Sequence, residues 1–365
     1  MCSRVGHLAL VALVATALCG VGARRAFAQA PEPAEKPASA QPPAPAWRIS
    51  GLVFGDYYYF AQDHDERFDG QSGFWLRRGY LTYDHNLAPN LATRFRLEVN
   101  SNGRMAGGSL TPFLKDAYLR WNYRGAHQAF IGMQPTPTLE VIDGVWGLRY
   151  VEKVPADLYR FDSTRDLGVG FTGPVNRAGT IRYSALVGND SGTGSETDGK
   201  MAVRLSARYD TNPGIFLEGS YWYADRPMGA DRQAVQAFAA YRHARGRVGL
   251  NYVWHERKQA ANDLPRAETT VVSAFAVLDL KPRKVSVFAR LDRAVDPPAD
   301  ATVDYLPIST ASPFTFGLLG AEYRLTSSVF FSPNAEFVRY GTPERPTVAR
   351  PRNDVVLRAS FHWVW

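Results

Sequence analysis

The residues best suited to chemistry in this sequence are arginines set at alternate positions inside short segments that switch between apolar and polar side chains. In the segment from Leu91 to Val99, Arg94, Arg96 and Glu98 share one face, while Phe95, Leu97 and Val99 share the other. From Phe113 to Tyr123 the polar face carries Asp116, Tyr118, Arg120 and Asn122 against Ala117, Leu119 and Trp121. The same arrangement recurs at Arg78, Arg204, Arg208, Arg290 and Arg358. A guanidinium is permanently charged and presents a planar fork that fits carboxylate or phosphate. Gathered in a confined polar channel, such groups raise the local concentration of anions. The alternative is that these arginines pair with neighbouring Glu and Asp across strands and only stiffen a wall.

Other chemistries lack their residues. The chain has no Gly-x-Ser-x-Gly elbow and no His-Glu-x-x-His pair, so neither a hydrolase nucleophile nor a zinc protease is expected. Its two cysteines, Cys2 and Cys19, both fall near the N-terminus, and no Cys-x-x-Cys-His haem attachment is present. No catalytic group, metal or cofactor is therefore expected. The formal net charge of +7 is spread along the chain rather than clustered, which argues against a nucleic-acid partner.

The elements that position the arginines follow from periodicity. Alternation with a period of two is the signature of strands. Sixteen such segments can be cut, beginning with Trp47 to Phe60 and Phe74 to His85 and ending with Asp354 to Trp365. Short connections rich in turn residues, such as Ala88-Pro89-Asn90 and Arg124-Gly125-Ala126, alternate with long ones such as 61–73, 135–165 and 295–313. That rhythm predicts an all-β fold, a closed 16-stranded antiparallel transmembrane β-barrel over residues 47–365. A charge in mid-strand then has to face the lumen, because facing lipid costs roughly 2 to 4 kcal/mol at the midplane. Trp121, Tyr123, Tyr221, Trp254 and Trp363 near strand ends are expected as an outward aromatic girdle.

The N-terminus fits export to that membrane. Residues 1–28 combine Arg4, an apolar run from Leu8 to Val21 and small residues around Ala26 to Ala28, the pattern of a cleaved secretory signal. Residues 29–46 form a Pro/Ala tract with little apolar bulk, read as a flexible periplasmic spacer. The expected location is the bacterial outer membrane, with the lipid bilayer as surroundings.

The longest connection, 135–165, follows the fifth strand and is expected to constrict the channel. It carries Glu140, Asp143, Glu152, Asp157 and Asp162 against Arg149, Lys153, Arg160 and Arg165, so its charges nearly cancel. Val145, Trp146, Leu148, Tyr150 and Leu158 could pack it against the wall. An external lid over the barrel is the alternative placement.

Three segments carry a family resemblance: Leu114-Lys115-Asp116-Ala117-Tyr118-Leu119, then Ile131-Gly132-Met133-Gln134-Pro135, and Ser163-Thr164-Arg165-Asp166-Leu167-Gly168-Val169. With the Arg77-Arg78 pair, they resemble the phosphate-selective porin O and P family. The resemblance implies a sixteen-stranded barrel, usually a homotrimer, that conducts small solutes. The expected function is passive diffusion of small hydrophilic solutes with a preference for small anions, phosphate being one of them. A non-selective diffusion channel and a structural barrel tethering the cell envelope are the alternatives.

Overall fold

The computed structural model describes residues 46–101, 110–258, 267–296, 306, 308–343 and 347–365. The expected export signal at 1–28 and nearly all of the Pro/Ala spacer at 29–46 lie outside the described residues.

Sixteen antiparallel strands form one closed barrel, each hydrogen-bonded to its neighbours in sequence. The first eight are β1 (Trp47–Gln62), β2 (Ser72–Ala88), β3 (Leu91–Asn100), β4 (Thr111–Arg124), β5 (His127–Pro135), β6 (Arg165–Pro174), β7 (Ile181–Gly188) and β8 (Ala202–Asp210). The rest are β9 (Gly214–Ala224), β10 (Arg232–His243), β11 (Gly246–Arg257), β12 (Ala267–Lys281), β13 (Val285–Ala294), β14 (Phe314–Arg324), β15 (Val329–Tyr340) and β16 (Asp354–Val364). β1 closes the ring on β16, with Tyr58 opposite Arg358. Closure removes the unpaired edges that an open sheet would leave.

The outward face is apolar. Leu119, Trp121, Ile131, Leu205, Leu250, Leu291, Leu319 and Leu357 all stand exposed on it. A contiguous apolar surface of this kind is stable against lipid rather than water. Trp121, Tyr123, Tyr221 and Trp363 are among the exposed aromatics, on the outward face where the girdle was expected.

The interior departs from a uniformly polar lumen. The loop between β5 and β6 turns into the barrel and carries two short helices, α1 (Glu140–Trp146) and α2 (Pro155–Leu158). Its Leu139, Ile142, Val145, Trp146, Leu148, Val151, Val154 and Leu158 are buried together with Phe216, Phe238, Phe275, Phe288, Phe314 and Phe316 of the wall. Trp146 meets Phe275 edge-on at 5.0 Å between ring centroids, and Tyr159 lies 5.6 Å from Phe314. Each large side chain buried this way contributes roughly 1.5 to 3 kcal/mol. The loop is an internal plug fixed to one side of the barrel, as the expectation of a constricting loop had it, and not the alternative external lid.

Two bulges break the alternation where the sequence sets ionisable residues side by side. Phe54 pairs with Arg78 and Gly55 with Leu76, so Arg77 is an extra residue on β2. Both Arg77 and Arg78 are consequently buried inside the barrel. Strict alternation would have sent one of them into lipid. Gly55 permits the bulge, because a Cβ there would sit 2.0 Å from the Trp75 carbonyl oxygen. On β4, Lys115 is extra in the same sense, between Leu114 opposite Leu97 and Asp116 opposite Arg96. Lys115 and Asp116 are both buried.

Candidate channel and its constriction

The plug rests on β9 to β16 and leaves space along β2 to β8. Wall guanidiniums hold it there by donating to its backbone carbonyls. Arg77 donates to Val151 (2.8 Å), Arg247 to Trp146 (2.6 Å) and Arg290 to Lys153. Tyrosines of the loop reach back to the wall: Tyr150 to Glu322 (2.8 Å) and Tyr159 to Asp292 (2.9 Å). At the loop's end Arg204 binds Asp162 (2.8 Å), Asp166 (2.7 Å) and Asp190 (2.8 Å) at once.

Two cavities flank the contact between the plug and β3 to β4. The one on the side of the long loops encloses about 200 Å³ and is lined by Arg78, Lys115, Arg149, Lys153 and Arg160 against Glu98, Asp157 and Asp162. The one towards the short turns encloses about 390 Å³ and is lined by Arg94, Arg120, Arg182 and Arg208 against Glu140. Between them Asp116, fully buried, takes Arg96 at 3.2 Å and also Arg165. Lys115 bridges the same zone, reaching Glu98 at 2.9 Å and the Thr164 hydroxyl at 3.0 Å.

The sequence-selected residues therefore divide into three groups. Arg78, Arg94, Arg120 and Arg208 line the cavities, and Arg78 lies 2.9 Å from Glu98 while Arg94 lies 2.7 Å from Asp84. Arg96 and Arg165 stand at the neck between them, both on Asp116. Arg204, Arg290 and Arg358 face inward but are sealed in ion pairs, Arg290 with Asp292 (2.5 Å) and Arg358 with Glu336 (2.9 Å) and Asp56 (3.3 Å). Their expected place on an open wall is corrected. Inward orientation does not amount to exposure where carboxylates of the wall and the loop enclose the guanidinium.

In the loop, Glu140 lines the larger cavity, and Lys153 and Arg160 the smaller. Arg149 is shared by Asp143 (2.6 Å) and Asp157 (2.5 Å). Burial pushes the Asp143 carboxyl up, because one guanidinium serves two carboxylates. Burial opposes charge on Asp157 as well, but Arg149 and Lys153 outweigh it and hold that carboxyl low. Arg160 has a left-handed backbone, with φ of 57°.

Sequence reasoning overlooked Lys115 and Arg77 as interior groups and did not single out Arg182. Adjacent charged residues in mid-strand were the available signal, since a bulge is what turns both inward. Among the described residues, no carboxylate stands within ion-pair distance of Arg120, Arg182 or Arg208. The Nε of each is buried without a hydrogen-bond partner. Away from the channel, Asp63, His64 and Asp354 meet where the loop after β1 approaches β16. Hydrogen bonds knit them together: His64 Nδ1 lies 3.1 Å from Asp354, which also accepts from the Tyr340 hydroxyl at 2.6 Å.

No family model and no curated protein matches the chain. Similarity to solved structures is extensive in fold and slight in sequence. The anion-selective porin from Comamonas acidovorans aligns over 87% of this chain and 99% of its own at a TM-score of 0.64 and 13% identity. Outer-membrane expressed OmpT of Vibrio cholerae aligns over 87% and 97% at 0.60 and 12%. Salmonella typhi OmpF, in complex with daunomycin, aligns over 87% and 97% at 0.58 and 9%. At these identities the likeness establishes the sixteen-stranded porin-type barrel as the fold of this chain.

Proposed function

We propose that this chain is a bacterial outer-membrane porin through which small hydrophilic solutes diffuse passively, with a preference for anions. The observation that carries the reading is the charge lining the two cavities. Arg78, Lys115, Arg149, Lys153 and Arg160 in one, and Arg94, Arg120, Arg182 and Arg208 in the other, face only Glu98, Asp157, Asp162 and Glu140 among the lining residues. Such an excess between low-dielectric walls concentrates anions and repels cations. The likeness in fold to a porin described as anion-selective is consistent with this. Phosphate belongs to the accepted class without being singled out, because the plug's charges nearly cancel: Arg149 and Lys153 pair with Asp143 and Asp157, and Asp162 and Arg165 pair with the wall.

Residues 1–28 act as the export signal and residues 29–46 as the periplasmic spacer in this reading. The barrel assembles as a homotrimer, as the trimer form of the similar Vibrio cholerae OmpT does. Purified protein in planar bilayers tests the proposal: discrete conductance steps are expected, and in a potassium chloride gradient the reversal potential has the sign of chloride preference. A protein that inserts without conducting would leave a structural barrel as the function, and no ionic preference would leave a general diffusion channel.

A further inference from the structure

Resting on the channel reading, a more specific site is built into the cavity towards the short turns. Its inner surface is ordered in rows across β5 to β8. Phe130, Gly170 and Leu186 are register partners on β5, β6 and β7, and the Gln134 side chain lies over the glycine between the two apolar side chains, where a Cβ would meet its Oε1 at 2.3 Å. The next inward row towards the short turns is polar, with Gln128 opposite Thr172 and Thr172 opposite Ser184. Beyond it Arg182 of β7 stands directly opposite Arg208 of β8.

Like charges placed opposite each other destabilise a strand pair. Here the nearest candidate for relief, Glu218 opposite Arg208 on β9, accepts from the Ser206 hydroxyl at 3.0 Å instead. Arg120, in register with Phe130, adds a third guanidinium with no carboxylate partner among the described residues. Buried donors left unsatisfied mark a place where a ligand can supply the missing acceptors.

The other wall is apolar. Tyr118 and Phe130 form an edge-to-face pair with ring centroids 5.5 Å apart, and Val141 of α1 lines the same space. A hydrated inorganic anion gains nothing from these rings. From Leu186 to Arg182 is four strand residues, about 13 Å between Cα atoms. The volume of about 390 Å³ falls in the range of pockets for small organic molecules. Glu140, the one carboxylate in the lining, limits the positive excess and so disfavours polyanions.

We propose that this cavity is a binding station for organic monocarboxylates that carry an apolar or aromatic body. The carboxylate takes the Arg182 and Arg208 donors, and the body lies against Phe130 and Leu186, with Tyr118 and Arg120 lining the same cavity.

Benzoate, acetate and inorganic phosphate serve as probes, added at equal concentration to single channels carrying chloride current, with benzoate binding also read by calorimetry on the detergent-solubilised barrel. Benzoate is expected to block at a concentration at least about tenfold below acetate and phosphate, the step that 1.4 kcal/mol of extra contact gives. Phe130→Ser and Leu186→Ser should each erase most of the difference between benzoate and acetate, whereas Arg182→Gln should weaken both acids alike. Equal block by the three anions, or a benzoate advantage untouched by both Ser variants, would overturn the station while leaving an anion-preferring porin in place. Loss of chloride preference itself would instead defeat the channel reading, and the calorimetric comparison of benzoate with acetate would still decide the site.

Discussion

Arg204 of β8 holds Asp162 of the plug at 2.8 Å from a position with no solvent exposure. The same guanidinium binds Asp166 of β6 and Asp190 of the loop after β7, so one side chain ties the end of the plug to the wall and to an outer loop. The fold thus uses Arg204 and Arg290, both buried, to fix the obstruction, while Arg94, Arg120, Arg182 and Arg208 line what remains open.

Removing that tie should loosen the plug. Arg204→Ala removes the cation shared by Asp162, Asp166 and Asp190, of which Asp190 keeps Arg226, a loss of about 3 to 5 kcal/mol for breaking a buried ion network. Denaturation in detergent is expected to shift to lower temperature, and single channels to show larger and noisier conductance. Unchanged conductance would mean that the apolar packing and the remaining polar ties hold the plug without Arg204.

That packing makes a separate prediction. Trp146 is almost fully buried, lies against Phe275 and donates its indole N–H to the Glu152 carbonyl at 2.8 Å. Trp146→Ala should cost about 3 to 5 kcal/mol through the cavity it leaves. Thermal unfolding followed by circular dichroism checks the loss, and a wider mean conductance should accompany it.

The Gly55 bulge offers a test of how the interior charges are aimed. Gly55→Val places a side chain against the Trp75 carbonyl, so the bulge that turns Arg77 and Arg78 inward cannot persist unchanged. The expected result is a low yield of heat-resistant folded barrel, whereas Gly79→Val, with its nearest neighbour 3.7 Å away, should fold. Equal folding of the two variants would contradict the role assigned to the bulge.

Asp143 links selectivity to pH. Its carboxyl is raised by burial, so it takes up a proton above the ordinary carboxylate value of about 3.9, while Asp157, held low by Arg149 and Lys153, stays ionised. Lowering the pH from neutral through that raised range therefore makes the plug more positive, and anion preference should rise. Since the folded state binds this proton more readily than the unfolded chain, the ionised pair costs stability at neutral pH, and the cost fades as the pH falls. Reversal potentials recorded as the pH is lowered from neutral should show the rise, and Asp143→Asn should show high anion preference throughout with a flatter profile.

Much of this was legible in the residues. Alternation placed all sixteen strands within a few residues of their observed ends, β15 at Val329–Tyr340 without error, because a one-residue slip would turn a whole polar face into lipid. It also put Arg94, Arg120 and Arg208 on the lumen side. What periodicity could not convey was the interior's division into a filled and an open half. Phe238 and Phe275 face inward on the same period as Arg208, and only the apolar surface of the 135–165 loop explains why. Nor does a strict period of two accommodate Arg77 or Lys115, whose inward turn depends on an extra residue in one strand.

The central claim rests on three guanidiniums with no carboxylate partner among the described residues, and one measurement addresses it most directly. Reversal potentials in a potassium chloride gradient should be compared between the unaltered protein and the triple variant Arg120→Gln, Arg182→Gln and Arg208→Gln. Chloride preference that falls several-fold or disappears, with conductance steps retained, is the predicted result. Undiminished chloride preference, or a cation preference in the unaltered protein, would contradict it.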